Sequence, residues 1–324
     1  MGGDPRAFIF SLVFSVSFLP SCYPSSQSIN FKMEKALLFI ASRQREDGSF
    51  RNFYGETHTF LTGHGLLALG SLKKCGMAVP QAQKTISYLL AKSQSSLWSF
   101  DNSLPPDADD TALVLRGLHY FLPKEKLFRY ADKLASLQKE NGSWPTWLAV
   151  PKSKKQKQLL RGKVHRIDAE VQAHVLLALA IIDSQRYQKN ISKGIKFFKK
   201  QNLNWQKSSS WYVLLSYPRI LFYRALLYIH NQNFWQEESL FLHSITKQKL
   251  SFLEKSSLLP LLKNKYLKQY TQYRKEILSL QNPDGSWPAY PYYTLYPKEH
   301  PNFSKFVVQD TLLSTALVLN GLCN

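Results

Sequence analysis

The chain has 324 residues, 44% of them hydrophobic and 14% aromatic, enough apolar material for one large domain or two of ordinary size. Its net charge of +20 predicts attraction to anions, but the basic residues are scattered among aromatics at helical spacing, which fits a solvated helical exterior and argues against a nucleic-acid partner. The three cysteines, Cys22, Cys75 and Cys323, form an odd and widely separated set, from which neither a disulfide framework nor a zinc site is expected.

The N-terminal run from Ala7 to Cys22 is too short to span a membrane and has the length of a signal-peptide core. Leu19 to Cys22 faintly resembles a lipoprotein cleavage box, although Pro20 departs from it and Asp4 balances Arg6. Two readings stand: residues 1–32 are an export or lipid-anchor signal, or Met33 is the true start and the protein is cytoplasmic or peripheral to a membrane. On both, the folded unit is residues 33–324.

From Met33 onward the chain repeats itself. Ala41 to Phe50, Leu137 to Trp144 and Leu280 to Trp287 each end an amphipathic run with Gln, then Asp-Gly or Asn-Gly, Ser and an aromatic residue. Weaker copies occur at Gln94 to Phe100 and Gln201 to Trp205. The Gly supplies a turn with positive φ, the Gln can bond back across it, and the aromatic ring closes the helix end. After each turn comes a more uniformly apolar helix: Leu61 to Leu72, Thr111 to Leu122, Val171 to Ile182, Trp211 to Ile229 and Thr311 to Leu322. Phe234 to Leu262 supplies a further pair without a clear turn motif. A period of roughly fifty residues, polar helix, turn, apolar helix, predicts stacked helical hairpins. Six such hairpins bury their apolar helices best by closing into a ring. The expected fold is therefore all-α, a single (α/α)6 barrel, rather than an open solenoid, which would need polar caps.

In such a ring the starts of the inner helices share one mouth. The residues there are His58 and His64; Asp107, Asp109 and Asp110; His165, Asp168, Glu170 and His174; Trp211 and Tyr212; and Gln309 and Asp310. Three carboxylates within Asp107 to Asp110 cannot all stay ionised in a low-dielectric cavity, so repulsion and desolvation would leave at least one protonated near neutral pH. The plainer reading of the cluster is helix capping, which also favours Asp before an apolar run. Trp147, Trp211, Tyr212, Tyr217, Tyr290, Tyr292, Tyr293 and Tyr296 are candidate cavity faces, with core packing or loop anchoring as their plainer role.

Taken together, the Gln-x-x-Asp-Gly-Ser-Trp turns and Asp107-Ala108-Asp109-Asp110-Thr111-Ala112 resemble the terpene cyclase and prenyltransferase toroids, within them the class II cyclases related to squalene-hopene cyclase. The resemblance covers residues 33–324. It implies protonation of a terminal alkene or epoxide by Asp109, with Asp107 and Asp110 tuning its acidity. Glu170-Val171-Gln172-Ala173-His174-Val175-Leu176 is similar to the segment whose His hydrogen-bonds the acid, which assigns that part to His174, although Glu170 and Gln172 replace the usual Asp and Thr. The substrate implied is a linear isoprenoid, squalene-like or a prenyl diphosphate, whose cation the aromatic faces would stabilise. Trp211, Tyr212, Tyr217, Tyr290 and Tyr293 are the substrate-binding candidates. No cofactor or metal is required, and magnesium enters only with a diphosphate. The basic run Lys152, Lys154, Lys155, Lys157, Arg161 and Lys163 would then meet the diphosphate or an anionic membrane surface. Family members usually carry two toroids, so a homodimer or second toroid chain is a candidate partner. The rival readings are a non-catalytic toroid that binds an isoprenoid or protein, and a carbohydrate-active enzyme pairing Asp109 with Glu170 or Asp310. A zinc prenyltransferase fits less well, because neither Cys75 nor Cys323 has a ligand context.

Overall fold

The computed structural model describes residues 26–51, 58–100, 104–150, 153, 154, 156, 167–200, 212–214, 216–229, 235–294 and 307–324. The apolar run at residues 7–22, His165, Trp205, Trp211, Tyr296 and all of the basic run except Lys154 lie outside them. Among the described residues twelve helices alternate as outer and inner members of six hairpins. The outer helices are α1 (Ser26–Arg43), α3 (Ala82–Lys92), α5 (Lys124–Ser136), α7 (Gln188–Lys200), α9 (Trp235–Ile245) and α11 (Leu267–Ser279). The inner ones are α2 (Thr59–Lys74), α4 (Ala108–Leu118), α6 (Ala169–Asp183), α8 (Tyr217–Leu227), α10 (Phe252–Leu262) and α12 (Thr311–Leu322).

Residue type explains the layering. Helix α7 buries Ile191, Gly194, Ile195, Phe197 and Phe198 on one stripe and leaves its lysines in water, as an outer helix with one apolar face must. Helix α6, AEVQAHVLLALAIID, is buried on every side from Ala169 to Ala180 and has no solvent face to spend on charge. Each inner helix packs on the next, α2 on α4, then α6, α8, α10 and α12, and α12 packs back on α2. The ring is closed, so the expected (α/α)6 barrel holds. Helix α1 already runs for seven residues ahead of Met33, and Ile29 packs against the core.

The turns hold the hairpins by a repeated set of bonds. Gln138 Nε2 donates to the carbonyl of Gly142 across its own turn at 2.9 Å and to that of Asn190 on α7 at 2.9 Å. Gln281 does the same to Gly285 at 3.0 Å and to Lys32 on α1 at 2.8 Å. The indole N–H of Trp98, Trp144 and Trp287 donates to a carbonyl of the preceding outer helix, on Leu89, Leu134 and Ile277. The backbone N–H of Phe50, Trp98 and Trp287 meets the hydroxyl of Thr62, Thr111 and Thr315, whereas that of Trp144 meets the Gln172 side chain. Gln172 is thus a turn anchor. Gly142 stands at φ +91° against Lys193, and any Cβ there would run into that carbonyl. The weaker copy at Gln94 makes its turn with Ser95 and Ser96 at positive φ instead of Gly. In the hairpin lacking a turn motif, Ser251 and Glu254 form a capping box at the start of α10.

Two features were not expected. Cys75 and Cys323 form a disulfide, with Cα atoms 5.3 Å apart and 248 residues between them. They are the C-caps of α2 and α12, which ring closure makes neighbours, so separation in sequence concealed their contact. The second feature is a small antiparallel sheet, β1 (Pro291–Thr294) with β2 (Val307–Gln309), between the last turn and α12. No helix among the described residues is long and apolar enough to cross a membrane.

Candidate active site

Capping accounts for much of the polar mouth. His58 Nδ1 accepts from the N–H of Leu61 at the start of α2, and Asp310 Oδ1 accepts from Leu312 and Leu313 at the start of α12. Asp107 Oδ1 accepts from the N–H of Asp110 at 2.7 Å, and its Oδ2 from Phe100 at 3.2 Å. Asp168 accepts from the Thr146 hydroxyl at 2.8 Å. For His58, Asp107 and Asp310 the helix-cap role is real, and the Asp310 carboxylate is engaged in it.

Asp109 is different. It is the second residue of α4, two beyond the N-cap Asp107, and its side chain does not cap the helix. The Tyr212 hydroxyl donates to its Oδ2 at 2.7 Å, and 15% of its side chain stays accessible. Burial pushes the Asp109 carboxyl well above the usual range, and the charges of Asp107 and Glu170 push it further, while the Tyr212 bond and Arg116 pull it back. Burial also raises Asp107, to about 6, against hydrogen bonds from Asp110, Phe100 and Asp109 that favour its ionised form. Glu170 and Asp110 are both buried beside this acid. The arrangement favours the protonated form of Asp109 far more than water would, with a neutral phenol beside it to steady the carboxylate formed when that proton leaves.

His174 lies at the same end of the neighbouring inner helix, as expected, and close to the acid. Its Nδ1 is 3.5 Å from Asp109 Oδ1 and 3.1 Å from Arg116 Nη1. A guanidinium only donates, so Nδ1 is an acceptor toward Arg116 and cannot donate to the acid. Burial and the charge of Arg116 push the His174 pKa well below its usual value, which leaves the ring neutral. Tyr212 supplies the short hydrogen bond to the acid, at the carboxylate oxygen that His174 does not approach.

Tyr212 reaches Asp109 because the short sheet carries it in. It bridges to Tyr293, and Val213 N–H donates to the Tyr292 carbonyl at 2.9 Å. Tyr212, Tyr217 and Tyr292 then pack edge-on or tilted with centroids 4.9 to 5.6 Å apart, and His174 lies against the first two. Tyr293 continues the wall toward Phe60 at 5.0 Å and Phe100 at 6.2 Å. Tyr290 packs instead on Phe252, and its N–H donates to Ser314, so it anchors the loop. Trp147 bridges Asp107 by its backbone and is buried. Among the described residues no group of three His, Cys, Asp or Glu side chains is placed to hold a metal ion. Sequence reasoning missed Arg116 and Arg224, both buried; a lone Arg inside ALVLRGL or YPRILFYRALL was the available signal.

The type II terpene cyclase MstE from Scytonema superposes on this chain with a TM-score of 0.70, over 93% of this chain and 98% of that one, at 15% identity. The chain has a terpene-cyclase fold. A variant of MstE in complex with geranylgeranyl dihydroxybenzoate, its substrate, matches with a TM-score of 0.70, over 92% of this chain and 97% of that one, at 15% identity. A protein from Actinoplanes matches at 0.68, over 90% and 98% of the two chains, at 14% identity. At these identities the likeness is one of fold. No protein-family model matches the sequence, and no match was found among curated proteins.

Proposed function

We propose that this chain is a type II terpene cyclase that starts a carbocation cascade by protonating a linear isoprenoid. The observation that carries the reading is Asp109: a carboxyl whose pKa is pushed well up by burial and by two neighbouring carboxylates, with one oxygen bonded by Tyr212 beside a cluster of tyrosines. Protonating a carbon-carbon double bond demands a desolvated acid whose conjugate base is steadied at the moment of transfer. Tyr212 and the fixed charge of Arg116 supply that steadying. The π-faces of Tyr212, Tyr217, Tyr292 and Tyr293 stabilise the cation as it moves along the chain. Asp107 and Glu170 set the acidity of Asp109, Asp110 completes the cluster, and His174 and Arg116 fix the floor beneath it.

The chemistry needs no cofactor, because a side chain supplies the proton. Magnesium enters only if the substrate carries a diphosphate. The neighbour crystallised with geranylgeranyl dihydroxybenzoate makes a twenty-carbon prenyl chain the first candidate for this protein. Purified protein should convert one member of a panel of squalene, geranylgeranyl diphosphate and geranylgeranyl arenes to a cyclic isomer or hydrate. Asp109→Asn should abolish that conversion while binding survives. Cyclisation by Asp109→Asn at the normal rate, or failure of every polyprene to bind, would overturn the reading and favour a non-catalytic toroid.

A further inference from the structure

The outside of the barrel carries an open cleft of about 420 Å³ at the seam where the last hairpin meets the first. It is lined by Leu38, Phe39, Ser42 and Arg43 of α1, with Arg51 just past the first turn and Asp284 in the last. Both turns lie at the end of the barrel that carries Asp109. Phe50 and Trp287 donate their N–H to Thr62 and Thr315 near the starts of α2 and α12, as Asp109 is near the start of α4. The cations of the cleft are not neutralised from within. Arg43 lies over the Phe39 ring at 5.2 Å and Arg51 is exposed, and neither guanidinium makes a hydrogen bond or ion pair among the described residues. Asp284 is committed to its own turn, where Oδ1 accepts from the N–H of Ser286 at 3.0 Å and from its hydroxyl at 2.7 Å.

The helix beside the cleft is apolar where an outer helix should be polar. Leu38 is 70% exposed, and Phe31, two helical turns earlier on the same face, is 57% exposed with Lys35 Nζ over its ring at 4.8 Å. Helix α7, by contrast, exposes lysines and no large apolar side chain. Glu34 is the single acidic residue of α1, against Lys32, Lys35 and Arg43. A soluble anion would use the guanidiniums and leave Leu38 and Phe31 in water. The surface of an anionic bilayer uses both, because its phosphates suit the planar fork of Arg and the acyl boundary beneath them takes apolar side chains. The net charge of +20 draws the chain to such a surface. We propose that this face of α1 and the adjoining cleft dock the barrel on an anionic phospholipid bilayer. Arg43 and Arg51 hold a lipid phosphate, and Leu38 and Phe31 enter the headgroup boundary. The docking stands without the cyclase reading; added to it, docking brings the end of the barrel that carries Asp109 to the membrane in which a long polyprene dissolves.

The test is co-sedimentation of the full chain with phosphatidylcholine vesicles and with vesicles containing about one third phosphatidylglycerol. Binding should need the anionic lipid and weaken as salt is raised. Arg43→Gln and Arg51→Gln should each reduce partitioning about fivefold and together about thirtyfold, and Leu38→Ser about tenfold, all at an unchanged melting temperature. The control is Lys189→Gln with Lys196→Gln on α7, the outer helix across the ring, which removes the same charge and should change partitioning by less than about twofold. An equal loss in the control would show that net charge, and not this face, does the binding, and would overturn the proposal. Binding that ignores lipid charge and every variant, as an anchor within residues 7–22 would give, would overturn it too, as would no sedimentation with either vesicle. A melting temperature raised by inorganic phosphate, with that rise lost in the arginine variants while their vesicle binding is intact, would assign the cleft to a soluble anion instead. None of these readings uses turnover, so a failure here leaves the cyclase reading standing.

Discussion

Replacing Tyr212 with Phe isolates the bond that distinguishes Asp109 from an ordinary buried acid. The phenol donates to Asp109 Oδ2 at 2.7 Å, and its effect is to favour the ionised carboxylate. A hydrogen bond to a charged group is worth about 1.5–3 kcal/mol, and about 1.4 kcal/mol corresponds to one pKa unit, so Tyr212→Phe should raise the Asp109 pKa by about one to two units. The active form is protonated, and activity falls as pH rises through that pKa. The alkaline limb of the rate profile should therefore move up by about one to two units. The plateau should drop at the same time, because a weaker acid transfers its proton less readily. Slower turnover over a wider alkaline range is a combination that simple misfolding does not produce. Initial rates of cyclic product formation between pH 5 and pH 10 measure both. A limb that stays in place or moves down would refute the assignment of Tyr212 as support for the conjugate base.

Asp109→Asn should stabilise the protein at pH 7. The native state holds a proton on Asp109 that the unfolded chain releases above about pH 4, so this residue erodes stability as pH rises from there toward its raised folded pKa. The gain in melting temperature should be large at pH 7 and shrink toward pH 4. Cys323→Ser, or reduction of the wild type, should cost about 2–5 kcal/mol in denaturant titrations, because the bridge restrains a very long loop of the unfolded chain. An unchanged midpoint would show that the two thiols are not joined in solution.

The barrel was legible because inner and outer helices need different surfaces, and that difference repeats along the chain: α6 is apolar all round, whereas α7 alternates Lys with Ile and Phe. The turns were legible because a Gly at positive φ has few substitutes, though Ser95 and Ser96 show that it has some. What the sequence hid are contacts made across the ring. Tyr212 meets Asp109 over a separation of 103 residues, carried there by a seven-residue sheet whose strands are too short to announce themselves by alternation. His174 stands where the family resemblance put it, but Arg116, from the neighbouring helix, takes its Nδ1. Cys75 and Cys323 looked unrelated for the same reason.

The closed ring also sets an order on synthesis. The carbonyl of Lys32 on α1 receives the Gln281 side chain from a residue made 249 positions later, and α2 finds its second inner neighbour only in α12. At about 5–20 residues per second a ribosome needs about 12–50 s to cover that distance. For that time the apolar flank of the first hairpin faces solvent or a chaperone, and the nascent chain is most exposed to aggregation at its oldest end.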